Sequence, residues 1–139
     1  MPSYLIDTNV VSENCKPQPN PTVIAWLESV PAEQCCLSVL TLAELRRGIV
    51  LLEAKRATAK AVRLNHWLAD TVAQYAGRIL DVTPAIAEAW ACLPAKRTLP
   101  WLDSFIAATA ITHGLALVTR NTKDFEGADV SCFDPFELR

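Results

Sequence analysis

Four acidic residues carry the chemistry open to this sequence: Asp7, Glu44, Asp103 and Asp124. Asp7 closes the apolar run Tyr4-Leu5-Ile6, and Thr8 and Asn9 follow it. If that run is a buried strand, Asp7 lies at its C-terminal tip, where open α/β sheets place ligands. Carboxylates brought together repel and raise one another's pKa unless a cation sits between them. An oxygen-only site suits Mg²⁺, with Mn²⁺ as the alternative, held through one or two carboxylates and several waters. Such an ion acidifies water and stabilises charge in an in-line displacement, so the expected chemistry is phosphodiester hydrolysis. Asn9 is placed to orient Asp7 or a bound water. Thr119, Arg120 and Asn121 stand where a later strand ends, and Arg120 could pair with a phosphate.

Each acid also has a simpler explanation. Thr41-Leu42-Ala43-Glu44 matches a capping box, in which Glu44 bonds back to the helix start. Asp103 suits the first turn of a helix, where the dipole favours an acid. Asp124, after Asn121-Thr122-Lys123, reads as a turn residue. Asp7 is hardest to explain away, because an acid closing a buried strand must find compensation.

The elements that must position these residues follow from periodicity. Residues 3–7 read as a buried strand. Asn20-Pro21 is an N-cap with proline at the first helical position, opening a helix to about residue 30. Cys35–Ser38 reads as a second strand, with helix from about 39 to 52 and a longer one from about 55 to 76. Ile79–Val82 is a third strand, and Thr83-Pro84 repeats the capping signal for a helix to about 93. Residues 96–100 read as a loop. Helix then runs from about Leu102 to His113, with Gly114 as a left-handed C-cap. Leu115–Thr119 is a buried strand and residues 129–133 a further one. Strands alternating with helices argue an α/β fold with a mostly parallel sheet covered on both faces. Right-handed crossovers put the strand C-termini on one edge, with Asp7, Glu44 and Asp124 on it.

Length and composition set the bounds. The 139 residues suit one domain spanning 1–139, and 51% hydrophobic content argues for a packed core. A net charge of -2 excludes nucleic-acid binding through bulk positive charge. Any such contact needs a local patch, for which Arg46-Arg47 and the Arg56/Lys60/Arg63 face are candidates, although such runs also form plain solvated faces. The five cysteines (Cys15, Cys35, Cys36, Cys92 and Cys132) lack metal-ligand spacing and read as reduced, mostly core thiols in the cytoplasm. Neither a signal peptide nor a membrane span is expected. The four tryptophans (Trp26, Trp67, Trp90 and Trp101) read as core or interface residues rather than base-stacking platforms.

Four segments in order carry a family resemblance. Tyr4-Leu5-Ile6-Asp7-Thr8-Asn9-Val10-Val11-Ser12-Glu13 resembles the opening of PIN-domain ribonucleases, especially the VapC toxins of bacterial toxin–antitoxin pairs and their FitB-like branch. Leu42–Ile49, Asp103–Ala110 and Val118–Phe125 are similar to that family's later motifs, so the resemblance spans nearly the whole chain. It implies a three-layer α/β/α sandwich and a metal-dependent endoribonuclease acting on structured or single-stranded RNA such as tRNA or rRNA. The family's acids carry over to Asp7, Glu44, Asp103 and Asp124, with Asp7 and Asp103 as metal ligands and Asn9, Thr119 and Asn121 as supporting polar residues. It further implies a homodimer silenced by a small antitoxin that fills the active site. Pro100-Trp101-Leu102 departs from the more polar segment that usually precedes the third motif.

Two rivals compete with this reading. A phosphatase of the haloacid dehalogenase type also opens on a strand ending in Asp, but it needs a second Asp where this chain has Asn9. A non-catalytic PIN-like protein that binds RNA or a partner would not require the acids.

Overall fold

The computed structural model describes residues 2–94 and 99–138, so residues 96–98 of the expected 96–100 loop lie outside the described residues. Five short strands form one sheet: β1 (Tyr4–Ile6), β2 (Cys35–Ser38), β3 (Ile79–Leu80), β4 (Ala116–Val118) and β5 (Cys132–Phe133). Their spatial order is β3-β2-β1-β4-β5, and every neighbouring pair is parallel. The chain runs outward from β1 through β2 to β3, then returns to the other side of β1 with β4. A topological switch point therefore lies between β1 and β4, where an open parallel sheet leaves a crevice. Ile6 pairs with Val118, and the ladder continues one residue further through Asp7 N–H to the Val118 carbonyl at 2.9 Å.

Strand periodicity explains the layers. Alternate residues point to opposite faces, so each central strand feeds two cores. Leu5, Cys36 and Leu117 pack with Ile106, Ala107 and Ala110 on one side. Ile6, Cys35, Leu37 and Val118 pack with Val10, Val23 and Tyr75 on the other. The adjacent cysteines thus face opposite layers, as their spacing requires. All five cysteines are free; Cys35 and Cys36 are buried, Cys15 and Cys132 are half-buried, and Cys92 is exposed rather than in the core.

The helices are α1 (Thr8–Val11), α2 (Pro21–Ser29), α3 (Val39–Ala54), α4 (Thr58–Gln74), α5 (Pro84–Ala91) and α6 (Trp101–His113). The capping signals hold for α2 and α5: Asn20 accepts from the Thr22 and Val23 amides, and Thr83 accepts from the Ile86 amide. The short α1 was not expected, because four residues are too few for a periodic pattern. Helices α3 and α4 form an antiparallel hairpin around a small core of their own, Ile49, Ala61 and Leu68. Helix α6 buries Ala107, Ala108 and Ala110, small residues that let it approach the sheet closely. It ends on Gly114, whose φ of 65° and ψ of 34° lie in the left-handed region that a Cβ disfavours. Gly114→Ala should therefore destabilise the protein by about 1 kcal/mol, seen as a lower urea midpoint with an unchanged slope.

Candidate active site

Asp7 follows β1 directly and caps α1, with only 5% of its surface exposed. Burial holds its pKa above the ordinary value, and hydrogen bonds from Thr119 and the Thr8 amide offset only part of that rise. One carboxylate oxygen accepts the Thr8 N–H at 2.8 Å. The other accepts the Thr119 hydroxyl at 2.8 Å. The proton of that hydroxyl is fixed by its surroundings. A hydroxyl has one proton and two lone pairs. Thr119 Oγ1 already accepts the Asn121 N–H at 3.1 Å and Asn9 Nδ2 at 3.3 Å, so its proton goes to Asp7.

Asn9 is oriented by the same logic. Its Oδ1 accepts the Arg120 N–H at 3.1 Å, which turns its Nδ2 toward Thr119 and, at 3.5 Å, toward Asp7. Asn121 contributes its backbone N–H to Thr119 and caps no helix with its side chain. The Arg120 guanidinium does not face the acids; it lies 4.5 Å from the centre of the Phe136 ring. Arg46, expected in a basic patch, donates to Asn65 on α4.

Glu44 corrects one expectation. Helix α3 starts at Val39 and is capped by Ser38, whose Oγ accepts the Leu40 N–H at 3.0 Å. Thr41 therefore lies inside the first turn, and the Thr41–Glu44 capping box does not form. Glu44 instead accepts the Thr8 hydroxyl at 2.8 Å. The sequence reading gave Thr8 no role of its own, although a hydroxyl directly after the strand-tip acid was the available signal.

Asp103 lies in the first turn of α6. Its carboxyl is pushed up from 3.8 to about 6, first by burial and then by the charges of Asp7, Glu44 and Asp124. Four acids expected from sequence, carried on four separate elements, thus share one electrostatic neighbourhood. Asp124 sits in a 3₁₀ turn over Thr122–Phe125, so its position as a turn residue and its closeness to Asp103 are both real.

The donor set fits a hard divalent cation on one observation: mutual repulsion raises Asp103, and an ion between the carboxylates would relieve it. Among the described residues, no three His, Cys, Asp or Glu side chains converge closely enough to enclose an ion by themselves.

Comparison with known proteins places this geometry. The PIN domain model matches residues 4–130. The toxin FitB of Neisseria gonorrhoeae is 39% identical over 138 residues, covering 95% of this chain and 97% of the relative. A VapC ribonuclease of Sinorhizobium fredii is 35% identical over 139 residues, covering 96% of this chain and 97% of the relative. The fold is similar to the crystal structure of FitAcB from Neisseria gonorrhoeae, with a TM-score of 0.87 at 39% identity over 97% of this chain and 99% of that one. The three-layer α/β/α fold expected from the sequence is therefore the one observed, and the chain belongs to the PIN-domain family.

Proposed function

We propose that this protein is a Mg²⁺- or Mn²⁺-dependent endoribonuclease and the toxin of a toxin–antitoxin pair. The observation that carries the reading is the raised pKa of Asp103 among Asp7, Glu44 and Asp124. A fold needs no such repulsive group of acids for stability, and it gains from one when a cation and a phosphate are bound there. The similarity to a VapC ribonuclease and to the toxin FitB supports the same conclusion.

Asp7 and Asp103 are the residues that would hold the cation, directly or through water. When bound, it supplies a positive charge for the phosphodiester oxygens and makes a nearby water more acidic. The remaining roles belong to the chain. Thr119 and the Thr8 amide fix both oxygens of Asp7, and the oxygen bonded to the Thr8 amide keeps a lone pair for the site. Thr8 aims Glu44, and the charge of Asp124 reaches Asp103. One of these two acids orients the attacking water and takes its proton as the new P–O bond forms and the bond to the leaving ribose oxygen breaks. Asn9 holds Thr119 and the Arg120 backbone in place. In the cell, RNA is the substrate, a cognate antitoxin occupies the site until it is removed, and the active toxin is a homodimer in the cytoplasm.

Asp7→Asn keeps the size of the side chain and removes its charge. With Mg²⁺ or Mn²⁺ present, cleavage of a panel of tRNA and rRNA substrates should fall by about a hundredfold or more, while circular dichroism stays unchanged. Cleavage at the wild-type rate would overturn the assignment and favour a binding protein.

Asp103 generates a second expectation. Its folded pKa of about 6 lies above its ordinary 3.8, so the folded chain holds a proton between these values that the unfolded chain has released. In metal-free protein this group costs nothing below about pH 4, and its penalty is complete above about pH 6. Asp103→Asn should therefore raise Tm in EDTA at pH 7 and change it little at pH 4. Adding Mg²⁺ to the wild type at pH 7 should raise Tm as well. An equal Asp103→Asn effect at both pH values would remove the electrostatic explanation.

A further inference from the structure

A cavity of about 300 Å³ lies beside the acids, lined by Trp90, Leu99, Trp101, Ser104, Asp124 and Glu126 among others. It is continuous with the proposed active site, because Asp124 belongs to both and Ser104 directly follows Asp103. Three aromatic rings meet there. Trp90 of α5 lies nearly parallel to Trp101, with centroids 4.9 Å apart and planes 15° apart. It lies equally flat on Phe105, at 5.1 Å and 2°. Trp101 and Phe105, one helical turn apart on α6, are 6.0 Å and 17° apart.

The group is locked by hydrogen bonds. The Trp90 indole N–H donates to Ser104 Oγ at 2.8 Å, and Ser104 Oγ donates to the Trp101 carbonyl at 2.7 Å. Yet Trp101 remains 69% exposed, the most exposed large apolar side chain among the described residues. Trp26, by contrast, packs edge-on against Tyr4 at 5.3 Å in the core. Trp26 is thus a core residue as expected, whereas Trp101 stands outside the core. A large indole held flat and left in water is a preorganised surface waiting for a planar partner.

We propose that Trp101 and this cavity receive an unpaired nucleobase of the same RNA strand whose phosphate reaches the four acids. The inference rests on the ribonuclease reading and adds the place where one base of the substrate strand is held. Aromatic stacking accepts any base, because each has a π-face, and it requires the base to be out of a duplex. The charges on the page favour this occupant. Glu126 at the cavity wall, outside the four acids, disfavours a phosphate there and suits the amino groups of a neutral base. A nucleotide also joins base and phosphate through one sugar, so it spans the adjoining cavity and acid site, whereas an apolar peptide side chain uses only the cavity.

The test measures binding by fluorescence anisotropy in the full-length Asp7→Asn protein, which leaves the RNA uncut. The probes are the dodecamers rA12, rC12 and rU12 and an abasic ribose-phosphate dodecamer, all with Mg²⁺. Trp101→Ala should weaken the best-bound base-bearing dodecamer about tenfold, and Trp101→Tyr should stay within about twofold of the parent. Abasic RNA should bind alike to all three. The proposal is overturned if Trp101→Ala binds base-bearing RNA as the parent does, or weakens abasic RNA equally. It is also overturned if the loss falls on capture of the purified cognate antitoxin while RNA binding is untouched, which would make the cavity a protein-docking surface. Wild-type protein that cuts structured RNA but binds none of the dodecamers sinks the stacking proposal alone. If the wild type neither cuts nor binds any RNA, the ribonuclease reading fails, and this proposal with it.

Discussion

Everything at the acidic edge depends on the parallel pairing of β1 with β4. The register that sets Ile6 against Val118 brings Asp7 and Thr119 to the same side of the crevice. There the Thr119 hydroxyl, its lone pairs already occupied, can only donate to Asp7. A hydrogen bond to a charged group is worth about 1.5–3 kcal/mol net, and an acid this deeply buried without one is more costly still. A slip of one residue would turn Thr119 to the other face of the sheet and move Leu117 and Val118 into the wrong cores. The same alternation that separates the two cores therefore also protects the site, since neither can shift without the other.

Three arginines of the protein have partners away from the acids. Arg120 lies on Phe136, Arg46 bonds Asn65, and Arg78 donates to the Cys35 carbonyl at the edge of β2. Glu13 shows what a buried acid looks like when the chain does neutralise it. Burial opposes its charge, but the Lys16 ammonium at 2.9 Å and the Asn20 amide outweigh that and hold its pKa below the usual value. Asp103 moves in the opposite direction because its neighbours are acids. The contrast between these two carboxyls, one satisfied from within and one not, separates a structural acid from a site that awaits something from outside.

Much of this was readable in the residues. Asp7 at a strand tip, Asn20 and Thr83 as caps, Gly114 in the left-handed conformation and the alternation of Cys35 with Cys36 all rest on local rules that tertiary structure did not override. The misses share a cause. Glu44 satisfied a local capping pattern, but Ser38 took the helix start and Thr8, 36 residues away, took the carboxylate. Asp124, by contrast, is both things its sequence allowed, a turn residue and an acid whose charge reaches Asp103. The exposure of Trp101 was equally hidden, because composition alone cannot separate an indole that fills a core from one that stands at a rim.

The bond between Thr119 and Asp7 joins residues 112 positions apart in a chain of 139. Contacts of such long range form late and slowly, because a large loop must close before they give anything back. Until β4 enters the sheet, β1 lacks its central neighbour and Asp7 lacks its side-chain hydroxyl donor. A chain growing from its N-terminus thus carries its acids through most of its synthesis as isolated side chains. The crowded group around Asp103 comes into being only after α6 and the turn that follows β4 have joined β1 and α3.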